Sequence, residues 1–104
     1  MFIAMNRFQV HPERSDEFER SWRERDSYLA EVPGFVEFAL LKGDNPGEYI
    51  SHSRWESRDA FKAWTQSDAF TRAHASGLSE DVLADHPRVS MYESVLEARA
   101  SVAR

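Results

Sequence analysis

The sequence has 104 residues, 41% of them hydrophobic and 12% aromatic, which is enough for one hydrophobic core and therefore for one domain. Its net charge of -5 argues against nucleic acid as a partner, because no cluster of lysine or arginine offsets the acidic background. The absence of cysteine excludes disulfides, thiolate catalysis and cysteine-bound metals, so any metal would have to be held by His, Asp or Glu.

The first ten residues alternate between apolar and polar side chains, which is the pattern of a half-buried strand. One row of this predicted strand, over 2–10, is apolar except for a single amide: Phe2, Ala4, Asn6, Phe8 and Val10. The segment lacks the basic start and long apolar run of a secretion signal, and no window approaches the ~18 apolar residues of a membrane span. The sequence therefore predicts a cytoplasmic protein with no membrane partner.

A helix is predicted next, after His11-Pro12 ends the strand. Asp16 and Glu17 come early in it, where carboxylates interact favourably with the helix dipole. The apolar residues at helical spacing are Phe18, Trp22, Leu29 and Val32. We therefore expect one helix that ends just before Pro33-Gly34.

A hairpin follows this helix. Residues 35–42 and 49–55 have the composition of strands, and the intervening Gly43-Asp44-Asn45-Pro46-Gly47 is dense in turn residues. Two strands joined by so short a turn are expected to pair antiparallel.

The next helical region is predicted to be broken in the middle. Ser57 is a suitable N-cap for one helix, and Ser67-Asp68 is a suitable start for another. The side chains of interest in these two segments are Ala60, Phe61, Trp64, Phe70 and His74.

A last strand is predicted over Arg88–Glu97, where apolar residues recur. The order β-α-β-β-α-β predicts an α+β protein with a ferredoxin-like sandwich, in which an antiparallel sheet carries both helices on one face. We expect a single domain over 1–98 and a flexible C-terminal tail over 99–104.

Three side chains could carry chemistry, and an ordinary structural role competes for each. Asn6 would be an amide in an apolar row, and most buried amides are satisfied internally. His74 follows Phe70 by one helical turn and could ligate iron, although a lone histidine there is more often a core or capping residue. Trp64 would serve either as core or as the wall of a pocket between the two helical segments.

Several short motifs together resemble the antibiotic biosynthesis monooxygenase (ABM) superfamily, and within it the IsdG-type heme-degrading branch. They are Asn6-Arg7-Phe8, Pro33-Gly34-Phe35, Trp55-Glu56-Ser57, Ala60-Phe61, Ala63-Trp64 and Ala73-His74. The resemblance spans roughly residues 1–75, and the last strand matches in pattern only. The Pro33-Gly34-Phe35 turn and the helix entry after Trp55 occur across the superfamily, whereas the combination of Asn6, Trp64 and His74 is narrower and matches the active site of the heme-degrading branch.

The resemblance implies a homodimer that forms a dimeric α+β barrel and an enzyme of the non-canonical heme oxygenase type. Heme would be both substrate and cofactor, dioxygen would be the second substrate, and an electron-donating reductase would act as external electron donor. His74 would ligate the heme iron, Asn6 would hydrogen-bond the distal ligand, and Trp64 would press on the porphyrin ring. Arg25 would meet a propionate.

Two alternatives remain open from the sequence. The first is a cofactor-independent monooxygenase of the same superfamily that acts on a quinol or polyketide and needs no axial histidine. The second is a heme-binding protein that never turns over. Unlike a heme-degrading enzyme, the first alternative would not need His74, and the second would leave bound heme intact.

Overall fold

The computed structural model describes residues 1–24, 29–75 and 82–100, which form four strands and three α-helices. The strands are β1 (Phe2–Gln9), β2 (Phe35–Lys42), β3 (Glu48–Trp55) and β4 (Arg88–Glu93). The helices are α1 (Ser15–Glu24), α2 (Arg58–Thr65) and α3 (Asp68–Ala75), and short 3-10 turns span Pro12–Arg14 and Leu29–Glu31. Among these described residues, no helix is long and apolar enough to cross a membrane.

The strands form one antiparallel sheet in the order β2-β3-β1-β4, with the helices on one face. The predicted ferredoxin-like fold is therefore confirmed. Phe2 pairs with Trp55 and Phe8 pairs with Tyr49, and all four side chains are buried on the helix-facing side. Directly paired residues point to the same face of a sheet, so this register identifies the helix-facing side chains of the other strands as well.

The first helix is shorter than predicted. It ends at Glu24 within the described residues, and Leu29–Glu31 is a 3-10 turn rather than a continuation of the helix. The Leu29 carbonyl accepts a hydrogen bond from Val32 N at 3.0 Å, and Pro33 disfavours an α conformation for the residue before it. Residues three apart eclipse in a 3-10 turn, so Leu29 and Val32 still reach the same core cluster.

The last strand is also shorter than predicted, because it ends at Glu93 rather than at Glu97. Glu93 pairs with Phe2, the first residue of β1, and only Ser94 adds a further bond, from its N to the carbonyl of Met1. Beyond that point β1 offers no partner. Val95 is consequently 98% exposed. Of the tail predicted at 99–104, residues 101–104 lie outside the described part of the chain.

Gly34 fixes the distance between the start of β2 and helix α2. Its φ is +82°, and a Cβ added there would lie 2.4 Å from the Cβ of Ala60. Any side chain at this position would therefore strain the backbone and push α2 away from the sheet. The close approach holds α2, with Trp64 on it, against the sheet.

The core consists of two separate clusters on the helix-facing side of the sheet. One contains the buried Phe8, Val10, Phe18, Tyr49 and Val82. The other contains the buried Phe2, Ala4, Leu29 and Trp55, with Trp64 packed against it. The clusters include positions 4 and 8 of β1 but not position 6, so Asn6 lies between them.

Candidate active site

Asn6 lies in the middle of β1, in a row that runs across all four strands. It pairs with Ser51 of β3 on one side and with Val89 of β4 on the other, and Ser51 pairs in turn with Leu40 of β2. The whole row faces the helices, because Asn6 shares its face with the buried Ala4 and Phe8. An amide is therefore confirmed in the helix-facing row of β1.

The carboxamide oxygen of Asn6 is enclosed, and it accepts no hydrogen bond from any of the described residues. An enclosed acceptor without a donor costs about 1–3 kcal/mol relative to hydration. The described residues thus do not supply the internal donor that an ordinary core amide would have. An amide kept at such a cost in an otherwise apolar row is a candidate for a functional role rather than for packing.

The surface next to Asn6 is lined by small side chains. Ala4, Ser51 and Ser53 all lie on the helix-facing side between the two core clusters. The Ser53 hydroxyl is engaged, because it accepts a hydrogen bond from Trp55 Nε1 at 3.0 Å and donates to the Ala4 carbonyl at 3.4 Å. Only small side chains therefore separate the two aromatic clusters at this point of the sheet.

The same surface continues onto β4, where apolar side chains are left uncovered. Val89 pairs with Asn6 and is 61% exposed, and Met91 pairs with Ala4 and is 50% exposed. Both face the helix side, on which Phe2, Ala4 and Phe8 of β1 are buried. We call this surface, formed by Asn6, Ser51, Val89 and Met91, the Asn6 slot.

Trp64 projects from α2 into a set of aromatic contacts at the edge of this region. Its ring lies 5.3 Å from that of Trp55 and 6.0 Å from that of Phe61, measured between centroids. It also meets Phe70 of α3 edge-on at 4.8 Å. Three aromatic neighbours hold the indole in one orientation, on the cluster that contains Ala4.

The predicted break between the two helical segments is confirmed, and Ser67 makes it. Its hydroxyl donates to the Trp64 carbonyl and accepts from Phe70 N at 3.2 Å, so one side chain ends α2 and caps α3. Ser57 caps α2 in the same way by accepting from Ala60 N at 3.1 Å. The turn at Ser67 brings Phe70 back against Trp64.

The structure describes the side chains of two of the four predicted site residues. Asn6 and Trp64 both lie on the helix-facing side of the sheet. His74 belongs to the last turn of α3, but its side chain is outside what the structure describes. Arg25 falls in 25–28, which also lies outside the described residues.

A cavity of about 280 Å³ lies elsewhere, between α1 and the β2–β3 edge, and sequence reasoning missed it. Its lining residues are Glu19, Trp22, Arg23, Phe38, Leu40, Lys42 and Tyr49. The rings of Trp22 and Phe38 stack at 5.6 Å and form one wall. Two signals in the sequence could have indicated this cavity. Positions 38, 40 and 42 alternate along one face of a strand, and positions 19, 22 and 23 share one face of a helix.

An ion cluster centred on Glu19 forms the polar side of this cavity. The Glu19 carboxylate accepts a hydrogen bond from the Tyr49 hydroxyl and pairs with Arg23 at 3.1 Å and Lys42 at 3.5 Å. The bond from Tyr49, with help from these cations, lowers the pKa of Glu19. Burial and then the bond to Glu19 raise the pKa of Tyr49. At neutral pH the pair therefore consists of a carboxylate and a neutral phenol.

The sequence model of one protein family, antibiotic biosynthesis monooxygenase, matches residues 1–76. The chain belongs to this ABM family. The matched region contains β1, both strands of the β2–β3 hairpin, α2 and α3. It therefore covers Asn6, Trp64 and His74. The ABM assignment makes the chain a monooxygenase of this family, and the ABM fold agrees with the observed sheet.

Curated relatives of this ABM protein include enzymes that act on heme. A heme oxygenase (mycobilin-producing) of Mycobacterium tuberculosis is 33% identical over 76 residues, which are 70% of either chain. A heme-degrading monooxygenase of Listeria welshimeri is 38% identical over 50 residues, which are 44% of this chain and 41% of that one. The chain thus spans well under half the length of the Listeria relative, and its match to a Natronomonas pharaonis protein covers 13% of that protein.

Solved ABM structures similar to this one differ in their need for heme. The heme-degrader MhuD from Mycobacterium tuberculosis, solved with two hemes bound in its active site, superposes with a TM-score of 0.78 at 27% identity. The superposition covers 95% of this chain and 100% of MhuD. SnoaB, a cofactor-independent oxygenase from Streptomyces nogalater, superposes with a TM-score of 0.72 at 26% identity, over 92% and 94% of the two chains. Fold similarity alone therefore does not identify the substrate.

Proposed function

We propose that this ABM protein is a cytoplasmic, oxygen-dependent heme-degrading monooxygenase that opens the porphyrin ring and releases iron. The observation that carries the proposal is the enclosed, unpartnered carboxamide oxygen of Asn6 beside the uncovered apolar side chains of β4. The similarity to heme-acting ABM proteins supports the same substrate.

The apolar side chains of the Asn6 slot suit contact with a porphyrin ring. A flat apolar ring would cover Val89 and Met91, and each Å² of apolar surface removed from water contributes about 25 cal/mol. Asn6 contributes the polar group beside these apolar side chains. This combination of apolar walls and one placed polar group is typical of cofactor sites.

Heme, when bound, would supply both the oxygen-activating iron and the carbon skeleton that is oxidised, and electrons would come from an external reductase. The residues of this chain would hold and orient it. His74 would ligate the iron through a neutral imidazole nitrogen, and Arg25 would pair with a propionate. Asn6 would donate a hydrogen bond from its amide nitrogen to the ligand on the distal side.

Trp64 is suited to press on the ring because it is itself held firmly. Contacts with Trp55, Phe61 and Phe70 leave the indole little freedom to move aside. A porphyrin that touches such a wall distorts more readily than the wall does, and distortion of the macrocycle is one way in which a protein alters heme reactivity. Trp64 would thus be the residue that distorts the bound ring.

We also propose that the protein acts as a homodimer whose sheets pack face to face. The face of the sheet opposite the helices includes Ile3, Met5, Leu41, Ile50 and Tyr92 by strand register. Leu41 is 44% exposed and Tyr92 is 51% exposed. A second copy would cover these apolar side chains, and a stable interface would bury more than ~1,000 Å² in total.

A second candidate function is oxidation of a small aromatic substrate without a cofactor. The cavity walled by Trp22 and Phe38 favours it, because its volume of about 280 Å³ is near that of small-molecule sites. SnoaB, the similar oxygenase, is described as cofactor-independent. This function needs no axial ligand and therefore does not need His74.

The deciding experiment follows hemin and oxygen together. Purified protein is loaded with one equivalent of hemin and supplied with ascorbate in air, while the absorption spectrum and dissolved oxygen are recorded. Consumption of heme and oxygen together supports the proposal. A stable heme complex would identify a non-catalytic binding protein, and the absence of any hemin binding would favour the cofactor-independent oxygenase.

A further inference from the structure

Ser51 is the second polar side chain in the Asn6 slot, and no described residue uses its hydroxyl. The helix-facing row of β3 consists of Tyr49, Ser51, Ser53 and Trp55. Tyr49 donates to Glu19, and Ser53 bonds both Trp55 and Ala4. Among the hydrogen bonds between described residues, none involves Ser51 Oγ. With no partner among the described residues, the Ser51 hydroxyl is available to bond a neighbouring polar group.

Strand register makes Ser51 the side chain best placed to reach Asn6. The two residues pair directly, and Cβ atoms of directly paired residues lie about 4.5–5.5 Å apart. The other members of the row, Leu40 and Val89, have no hydrogen-bonding side-chain atoms, and neither have Ala4 and Phe8 along β1. Ser51 is therefore the one described side chain in this row that can donate to the Asn6 carboxamide.

The two groups are also complementary. Asn6 Oδ1 is enclosed and lacks a donor, and the serine hydroxyl is a donor that rotates among staggered positions of similar energy. The structure shows no bond between the two groups, but an enclosed acceptor without a donor is costly, so rotation of the Ser51 hydroxyl toward it is favoured. The bond determines which end of the amide faces the slot, because the oxygen and nitrogen of a planar carboxamide lie on opposite sides.

We propose that Ser51 is a positioning residue that donates its hydroxyl proton to Asn6 Oδ1 and thereby presents Asn6 Nδ2 to the slot as a donor. Its role in turnover rests on the proposed function, since it acts on a heme ligand only through Asn6. A carboxamide flipped by 180° would present an acceptor to a bound oxygen ligand and repel it. Without the Ser51 bond, both orientations become populated.

The first test uses the protein without heme, so that it does not depend on the proposed function. NMR of the Asn6 side chain, assigned through the Asn6→Ala variant, reports the hydrogen bond through the Cγ and Nδ2 chemical shifts. Ser51→Ala should shift both signals, Ser51→Thr should restore them, and Ser53→Ala should leave them unchanged. If the Asn6 signals are the same in wild type and Ser51→Ala, the contact does not exist and the proposal is wrong.

The second test uses the hemin-loaded protein and has a readout besides turnover. In the ferrous carbon monoxide complex, Ser51→Ala should shift the C–O stretching frequency in the same direction as Asn6→Ala, and the double variant should shift it no further than Asn6→Ala. Turnover of Ser51→Ala should fall by about three- to tenfold in kcat with little change in KM, the factor expected for one hydrogen bond. Ser51→Thr should recover most of this loss.

The outcomes separate the two hypotheses. If wild type binds no hemin, the proposed function fails, while the NMR test still decides whether Ser51 orients Asn6. If hemin is degraded but Ser51→Ala has the wild-type stretching frequency and kcat, the proposed function stands and the positioning role of Ser51 is refuted.

Discussion

Replacement of Trp64 tests whether its rigidity serves packing alone or also catalysis. Trp64→Ala removes a half-buried indole and three aromatic contacts, each worth about 0.5–1.5 kcal/mol beyond area burial. Because the side chain is only partly buried, we expect a loss in unfolding free energy at the low end of the range for large-to-small aromatic changes, about 2–4 kcal/mol. For a domain of this size that lowers Tm by roughly 10–25 °C.

Trp64→Phe is the matched control, because it keeps an aromatic ring against Trp55 and Phe70 while removing bulk. We expect it to lose about 1–2 kcal/mol of stability. Thermal unfolding gives the stability of both variants, and hemin turnover is then measured well below their transitions. If Trp64 distorts the ring, both variants should bind hemin but degrade it at least tenfold more slowly than wild type. Wild-type turnover in the folded Trp64→Ala variant would reduce Trp64 to a packing residue.

Three further predictions concern the rest of the molecule. Asn6→Ala should retain hemin binding but lose most turnover, since the amide contacts only the distal ligand, and degradation at wild-type speed would exclude that role. Leu41→Glu should convert the dimer to a monomer, as measured by sedimentation. The control Gln66→Glu makes the same change in charge at an exposed helix end and should leave the dimer intact. A wild-type protein that is monomeric at micromolar concentration would contradict the proposed dimer. Because the folded pKa of Glu19 is lowered from 4.5, its contribution to stability is complete above that value and is lost as pH falls through the folded pKa. Glu19→Gln should therefore lower the free energy of unfolding by about 1 kcal/mol at pH 7. Its stability should also fall less than that of wild type when the pH is lowered, which urea unfolding at pH 7 and below 4.5 can measure.

Short-range sequence patterns were sufficient to predict most of the fold. The strand over 35–42 has the predicted bounds, and the hydroxyls of Ser57 and Ser67 cap the two helices as expected. These features depend on residues only a few positions apart. One error lay just before Pro33, where Leu29 is in a 3-10 turn although its spacing from Trp22 is helical. The other occurred where distant residues decide, because the end of β4 is set by the start of β1.

The candidate site was only partly visible for the same reason. The alternation in β1 singled out Asn6, but the lack of a donor for its oxygen became evident only with the strands in register. Ser51 was not singled out, because a serine in a strand has no pattern of its own. The contact between Glu19 and Tyr49, which are 30 residues apart, follows from the packing of α1 on β3.

The visible spectrum of hemin bound to His74→Ala tests the central claim most directly. Wild-type protein should bind one equivalent of hemin with the Soret band of a histidine ligand, and ascorbate with oxygen should bleach it. His74→Ala should lose this band and all turnover while its circular dichroism stays that of the wild type, whereas His11→Ala, His52→Ala and His86→Ala should keep both. If His74→Ala retains the wild-type Soret band and degrades heme normally, His74 is not the iron ligand and the proposed heme site is wrong.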